Sequence, residues 1–422
     1  MSDLLIRPGY LQGAIEPPPS KSDAHRALIA SWLAGDQQGA DISGLPAVLS
    51  EDLAATRRCL SALADGRAVL DCGESGTTLR FMVPVAAALD PCGYFPVGSG
   101  KPVFRAGHIT FTGSGRLPQR PLETYRTVLG GAGAELVFPE QGSLPLELRS
   151  RIRPGLFRVP GHISSQYLSG LLYALPLLPG ESQIELTSPL ESAPYVAMTL
   201  RTLAHFSITI RESSRGYDIP GRQTYRPSAY TVEKDYSQAA FWLTASYLGS
   251  ALRISGLPLD SAQGDRAIEP LLADFGRRRP EYCIDAAQIP DLVPILAVAA
   301  AGTPAMTRIT HAARLRLKES DRLESTAGML QAIGVQAAVE GDDLLIHGAG
   351  SPGENRDGFL FRGGEVDSRG DHRIAMAAAI AALHARQGII LRHADAVRKS
   401  YPQFFAEFRR LGGHADELDL GT

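Results

Sequence analysis

Runs of alanine and leucine that are apolar on nearly every face recur six times along the chain, beginning near Ala24, Thr78, Ser165, Tyr236, Asp291 and His372. A helix without a polar face has to be buried, so each run predicts a core helix. Six further segments carry the mixed pattern of a half-buried helix and run into a turn or a strand-like stretch: DLAATRRCLSALADG, ETYRTVLGGAGAELVF, PYVAMTLRTLAHFSITI, AIEPLLADFGRRRPEYCI, RLESTAGMLQAIGVQAAV and QFFAEFRRLGGHA. Their starts, near positions 52, 123, 194, 267, 322 and 402, stand about 70 residues apart and predict a six-fold internal repeat. Short strands such as HITFTG, ELVF, SITI, ALRISGL and DDLLIHG fall between the helices, so the expected class is α/β or α+β. Spacings this long and uneven do not suit a solenoid, and six units divide naturally into two domains of three. A break is expected near residues 220 to 235, where GRQTYRPSAY ends a polar stretch ahead of a new apolar helix. Where the amino-terminal strand IRPGYLQGAI packs does not follow from pattern.

Composition narrows the class further. At 422 residues, with 44% hydrophobic and 21% charged positions, the chain is too long for one small domain and too apolar for disorder. Forty-two basic against 45 acidic residues give a formal charge of -3, which lacks the basic excess of a dedicated nucleic-acid binder and favours a small-molecule partner. Cysteines at 59, 72, 92 and 283 form no C-x-x-C pair, and no histidine cluster has metal-ligand spacing, so neither a zinc site nor a disulfide framework is expected and a reducing cytoplasm fits best. The opening MSDLLIRPGY has no apolar h-region, and the stretches ILAVAAAGTPAM and IAMAAAIAAL fall short of the roughly 18 residues a membrane span needs. No signal, transit peptide or anchor is expected.

The chemistry-bearing residues gather at the starts of the buried helices: Ser20 to Arg26, Gly73 to Thr77, His162 to Gln166, Asp235 to Gln238, Asp291, and Gly370 to Arg373. Serine, threonine and aspartate there suit N-caps. Capping does not explain Lys21, Arg26 and Arg373 beside the positive end of a helix dipole. An anion does, because helix starts, basic side chains and free N–H groups all attract phosphate or carboxylate. A cleft holding a polyanionic substrate is the expectation. No G-x-x-x-x-G-K-[ST] occurs and no G-x-G-x-x-G lies between a strand and a helix, so nucleotide hydrolysis and dinucleotide chemistry lose their main support. Further basic phrases stand at Arg116 to Pro121, Arg314 to Arg322 and Val397 to Pro402; taken alone, KESDR reads as a solvated helix face. The run at 277 to 279 reads as a solvated helix end, and Arg149, Arg151, Arg153 and Arg158 as loop surface.

Together these phrases resemble the 5-enolpyruvylshikimate-3-phosphate synthase family, whose activity is that of a 3-phosphoshikimate 1-carboxyvinyltransferase. The resemblance covers essentially the whole chain and rests on P-x-S-K-S-x-x-x-R (Pro18 to Arg26), G-x-x-x-R (Gly76 to Arg80), Arg120-Pro121, Ser164 to Gln166, S-x-P-Y (Ser192 to Tyr195), D-x-S (Asp235 to Ser237), Q-G-D (Gln263 to Asp265), K-E-S-D-R-L (Lys318 to Leu323), D-H-R-x-A-M (Asp371 to Met376) and K-S-Y-P (Lys399 to Pro402). It implies two domains of three βαββαβ units with parallel buried helices. Residues 1–19 with 235–422 would form one domain and 20–234 an inserted one, with the active site in the cleft between them and the amino-terminal strand in the carboxyl-terminal half. It also implies transfer of the enolpyruvyl group of phosphoenolpyruvate to the 5-hydroxyl of shikimate 3-phosphate, with release of phosphate. That is a step toward chorismate and the aromatic amino acids. No cofactor, metal, nucleic acid or membrane enters, and the family expectation is a cytoplasmic monomer.

Carried over by motif, Lys21, Gly76, Arg120, Gln166, Arg322, Arg373 and Lys399 would hold phosphoenolpyruvate. Lys21, Ser22, Arg26, Ser164, Ser165, Gln166, Ser192, Tyr195, Asp291 and Lys318 would hold shikimate 3-phosphate. Asp291 would deprotonate the 5-hydroxyl, while Glu319, with Lys21 nearby, would exchange the proton at carbon 3. Ser192 also suits the cap of an outer helix, Tyr195 a packing aromatic, and Asp291 the cap of LVPILAVAA. Three positions depart from commoner family patterns: Glu74 where many members have Asn, Arg314 where some have Asn, and Phe81 where some have Pro, close to the site that governs the response to glyphosate. The competing readings are the sister transferase acting on UDP-N-acetylglucosamine, whose loop cysteine is missing from TGSGRLPQRP with Cys92 the nearest, and a catalytically silent protein on the same fold.

Overall fold

The six all-apolar runs are helices in the computed structural model: α1 (Lys21–Leu33), α3 (Gly76–Ala88), α5 (Ser165–Ala174), α7 (Tyr236–Tyr247), α9 (Val293–Ala301) and α11 (His372–Ala382). Every residue of α9 and α11 is buried, as helices without a polar face require. The structure describes residues 3–36, 39–89, 108–277, 279–350 and 358–418, so Cys92 and Arg278 lie outside the described residues.

The mixed segments form α2 (Glu51–Ala64), α4 (Glu123–Gly131), α6 (Ala193–His205), α8 (Ile268–Phe275), α10 (Arg322–Ala332) and α12 (Phe404–Arg410). Most bury one stripe, as α4 does with Tyr125, Val128 and Leu129. Helix α10 departs from that pattern. It buries Arg322, Leu323, Ser325, Thr326, Ala327, Met329 and Leu330, polar residues included. The expected strand SITI is also not one: the chain leaves α6 through Ser207 at φ 66, and pairing starts only with Arg211–Ser213.

Among the described residues, four four-stranded sheets repeat one order. Each begins with a parallel pair joined through a buried helix: Val69–Asp71 with Ile109–Thr112 across α3, Leu156–Val159 with Ser182–Leu186 across α5, Glu281–Asp285 with Met306–Thr310 across α9, and Gly364–Asp367 with Ile389–Arg392 across α11. Parallel neighbours need such a crossover, and an apolar helix can fill it only against a sheet. Two antiparallel strands complete each sheet. They are Leu146–Leu148 and Leu136–Val137, Gly216–Ile219 and Arg211–Ser213, and Asp343–His347 and Gln336–Glu340. In the fourth sheet Leu4–Arg7 takes the third place, between Ile389–Arg392 and His414–Glu417, with Leu4 opposite both Leu391 and Glu417. The amino terminus thus supplies the strand that the last repeat lacks. Two smaller parallel pairs remain, Gln12–Ile15 with Ala251–Ile254 and Ile42–Ser43 with Tyr230–Thr231.

The chain divides into two compact units, residues 1–20 with 234–422 and residues 21–233. Each has its own core, one built around Trp242, Phe241 and Phe404 and the other around Trp32, Phe81 and Tyr173. Among the described residues no helix is long and apolar enough to cross a membrane, and no group of three or more His, Cys, Asp or Glu is placed to hold a metal ion.

Candidate active site

In the unit of residues 21–233, three helix starts carry the chemistry. Lys21 is the first residue of α1, and its ammonium lies 2.7 Å from the Asp52 carboxylate in the first turn of α2. One turn on, Arg26 is buried. It donates to the main-chain oxygens of Ser22 (2.6 Å) and Tyr195 (2.7 Å) and to Thr199 Oγ1 (2.9 Å). Its guanidinium also stands 5.3 Å from the Phe81 ring and 5.9 Å from the Tyr195 ring. Burial lowers its pKa against the pull of Tyr173 and Asp23. Arg26 therefore joins α1 to the start of α6, where Ser192 stands at φ 54 and makes no side-chain cap bond. Ser192 thus occupies the cap position of α6 without its side chain capping the helix.

Helix α3 begins at Gly76, with Ser75 Oγ accepting from the amide of Thr78. A Cβ at Gly76 would stand 2.5 Å from Arg120 Nη1 and 2.8 Å from Arg80 Nη1, so the missing side chain lets two guanidiniums approach the positive end of the helix. Arg80 Nη1 also donates to Gln166 Oε1 (3.0 Å), while Gln166 Nε2 reaches Thr77 Oγ1 (2.9 Å). Ser164 caps α5 by accepting from the Gln166 amide, and Ser165 opens that helix, buried. Arg80 and Asp52 are thus part of the arrangement although no role was read for them in the sequence. The signal for Arg80 was its spacing, since a residue four after Gly76 shares its helix face. The Glu74 carboxylate packs against Gly115, which stands at φ +57, and Phe81 is a core residue.

In the other unit the sequence KESDR is not a solvated helix face. Residues 318 to 320 form a bend, Ser320 is buried, and α10 starts only at Arg322. The reason is charge: the Arg322 guanidinium, 1% exposed, meets three carboxylates. It donates to Asp371 Oδ2 at 2.9 Å, Asp291 Oδ1 at 2.8 Å and Glu319 Oε2 at 2.6 Å. These carboxylates raise its pKa against the effect of burial.

Asp291 in turn is held by Lys318, Arg322 and Arg373. Lys318 Nζ lies 3.3 Å from Oδ1, which Arg322 shares, while Arg373 is 3.2 Å from Oδ2 and donates to the Asp291 carbonyl at 2.9 Å. Helix α9 begins two residues later, with Leu292 at its cap position. Burial lowers the Lys318 pKa, with Asp291 acting against it. Asp371 caps α11 through the Arg373 amide (2.9 Å) and accepts from Ser320 Oγ (3.2 Å). Lys399 Nζ donates to the carbonyl of Gly370, next to that cap (2.9 Å). Arg314 donates to the Ala287 carbonyl. Asp265, buried and accepting from the Ser237 hydroxyl, has its pKa pushed up to about 6 by burial and by the Asp291 charge. Neither Asp265 nor Asp371 was singled out from sequence, because each looked like one letter of a motif.

The family model for EPSP synthase (3-phosphoshikimate 1-carboxyvinyltransferase) matches residues 51–408. The chain is 38% identical over 457 aligned residues to the 3-phosphoshikimate 1-carboxyvinyltransferase of Clostridium kluyveri and 36% identical over 454 to that of Clostridium acetobutylicum, each alignment covering 100% of both chains. The chain belongs to the EPSP synthase family.

Solved structures agree on the fold. EPSP synthase from Acinetobacter baumannii superposes with a TM-score of 0.75 at 22% identity, covering 98% of this chain and 100% of that one. The enolpyruvyl transferase NikO from Streptomyces tendae gives 0.69 at 18%, covering 99% of each. The two-domain α/β enolpyruvyl-transferase class expected from the sequence is therefore the class found. Within the units, the EPSP synthase fold assembles Lys21 with Asp52, Gly76 with Arg80, Arg120 and Gln166, and Asp291 with Lys318, Glu319, Arg322 and Arg373.

Proposed function

We infer that the protein transfers the enolpyruvyl group of phosphoenolpyruvate to the 5-hydroxyl of shikimate 3-phosphate and releases phosphate. Membership of the EPSP synthase family carries this reading, and the cluster of Asp291 and Glu319 among Lys318, Arg322 and Arg373 supports it. Each substrate bears a phosphate and a carboxylate, which calls for fixed cations and helix starts. Gly76, Arg120, Gln166, Arg322, Arg373 and Lys399 serve phosphoenolpyruvate. Ser22, Arg26, Ser164, Ser165, Gln166, Ser192, Tyr195, Asp291 and Lys318 serve shikimate 3-phosphate, and Lys21 serves both.

In the addition step Asp291 takes the proton of the 5-hydroxyl as its oxygen bonds to carbon 2, and carbon 3 takes a proton from Glu319. In the elimination step a methyl proton leaves to Glu319 and the C–O bond to phosphate breaks. Arg322 fixes both carboxylates at once, which orients the two proton-transfer groups relative to each other. The protein works as a cytoplasmic monomer in this reading.

The test is phosphate release with phosphoenolpyruvate and shikimate 3-phosphate, run beside UDP-N-acetylglucosamine. Release with the first acceptor alone is expected. Release with the sugar nucleotide alone, or with neither, would remove the assignment.

A further inference from the structure

Helix α2 carries two side chains one turn apart, Asp52 and Thr56, and α1 answers with Lys21 and His25 at the same spacing. Asp52 meets Lys21, and Thr56 Oγ1 lies 2.7 Å from His25 Nδ1. Thr56 Oγ1 is also 2.7 Å from Thr78 Oγ1 on α3. Thr78 Oγ1 in turn reaches Ser75 Oγ at 2.8 Å and the Asp52 carbonyl at 3.3 Å. His25, Thr56 and Thr78 are 0% exposed and Ser75 1%.

Burial and the charges of Lys21 and Arg26 hold the His25 pKa well below its usual value, so the imidazole is neutral and has one N–H. Its Nε2 has no partner among the described residues. A bare acceptor nitrogen is cheaper to bury than an orphaned N–H, which puts the proton on Nδ1. The chain then runs one way: His25 donates to Thr56, Thr56 to Thr78, and Thr78 to Ser75 or the Asp52 carbonyl.

We propose that Thr56 and Thr78 are positioning residues for the phosphoenolpyruvate site, their hydroxyls forming one directed chain from His25 to the Ser75 cap that sets where Lys21 stands against the start of α3. The inference rests on the function proposed above, since it takes Lys21 and Gly76 as the groups being positioned. Each link is a short neutral bond between two helices, and a chain with one direction is stiffer than its separate bonds. Replacing either threonine by valine keeps the shape and leaves a buried donor without an acceptor.

Thr56→Val and Thr78→Val are expected to raise KM for phosphoenolpyruvate about tenfold, the scale of one buried hydrogen bond, and Thr56→Ser and Thr78→Ser to restore it to within about twofold. Thr202→Val removes an equally buried hydroxyl of the same unit, from α6, and is expected to leave that KM at the wild-type value. Valine variants with unchanged KM, or a Thr202→Val variant that raises it as much, would overturn the positioning role while wild-type turnover still upheld the proposed function. A wild type that turns over neither substrate overturns that function and this inference with it. Histidine-selective 15N spectra read the chain without substrate: His25 protonated on Nδ1 in the wild type and altered in Thr56→Val is expected, and protonation on Nε2 would overturn the chain's direction.

Discussion

Arg322 and Asp371 close on each other out of contact with solvent: Nε donates to Oδ2 over 2.9 Å and Nη2 to Oδ1 over 3.4 Å, with the side chains 1% and 0% exposed. Because Arg322 also grips Asp291 and Glu319, this pair anchors both proposed proton-transfer groups to the start of α11. Asp371→Asn keeps a side chain able to cap the helix and removes the charge. Leaving a buried guanidinium short of one partner is expected to cost about 3 kcal/mol in urea denaturation and to lower kcat in the same variant. A variant as stable as the wild type would show that the pair contributes nothing.

Gly76→Ala separates site from fold. The new methyl meets guanidinium ends, which can swing away, while alanine favours a helix over glycine by up to about 1 kcal/mol. Stability at or above wild type is therefore expected, with a raised KM for phosphoenolpyruvate in steady-state assays, because Arg80 and Arg120 lose their approach to the helix start.

Glu319→Gln keeps a hydrogen-bonding side chain beside Arg322 but cannot carry the carbon 3 proton. Turnover is expected to fall by about 10² to 10⁴, the usual scale for a general acid or base. Incorporation of solvent deuterium into the methylene of phosphoenolpyruvate should fall with it, and unchanged exchange would place the proton elsewhere.

Asp265 makes stability depend on pH. Its folded pKa, about 6, lies above its ordinary 3.8, so the folded protein holds a proton that the unfolded chain releases first. Its contribution is full below pH 3.8, declines as pH rises, and is lost once pH passes about 6. In urea titrations between those limits, Asp265→Asn is expected to decline less steeply with pH than the wild type.

The thiols should react unequally. Cys283 is exposed, whereas Cys59 and Cys72 are buried with their sulfurs 3.9 Å apart, and the contact with Cys59 together with burial pushes the Cys72 thiol well up. Peptide mapping after alkylation of the native protein should find Cys283 modified and Cys59 and Cys72 intact.

The helices were legible in the sequence because their cause is local. An apolar run such as LVPILAVAA has no stable exposed form, and α3, α5, α7 and α11 each start at a residue whose side chain caps them: Ser75, Ser164, Asp235 and Asp371. The six-fold count followed from the same pattern, and the motif phrases gave the family. The place of Leu4–Arg7 was not local, since it depends on a last repeat that lacks one strand nearly 400 residues away. Nor was the state of KESDR: a run of mixed charges belongs in water unless partners await it, and Asp291 and Asp371 stand 31 and 49 residues from Arg322. The threonine chain is the extreme case, since a hydroxyl has no long-range signature and hydrogen bonds form only once packing brings it within about 3 Å of another. Sequence alone determined which segments must be hidden and which residue types collect at helix starts. Tertiary structure decided which charges and hydroxyls meet, because pairing depends on distances that only the folded chain creates.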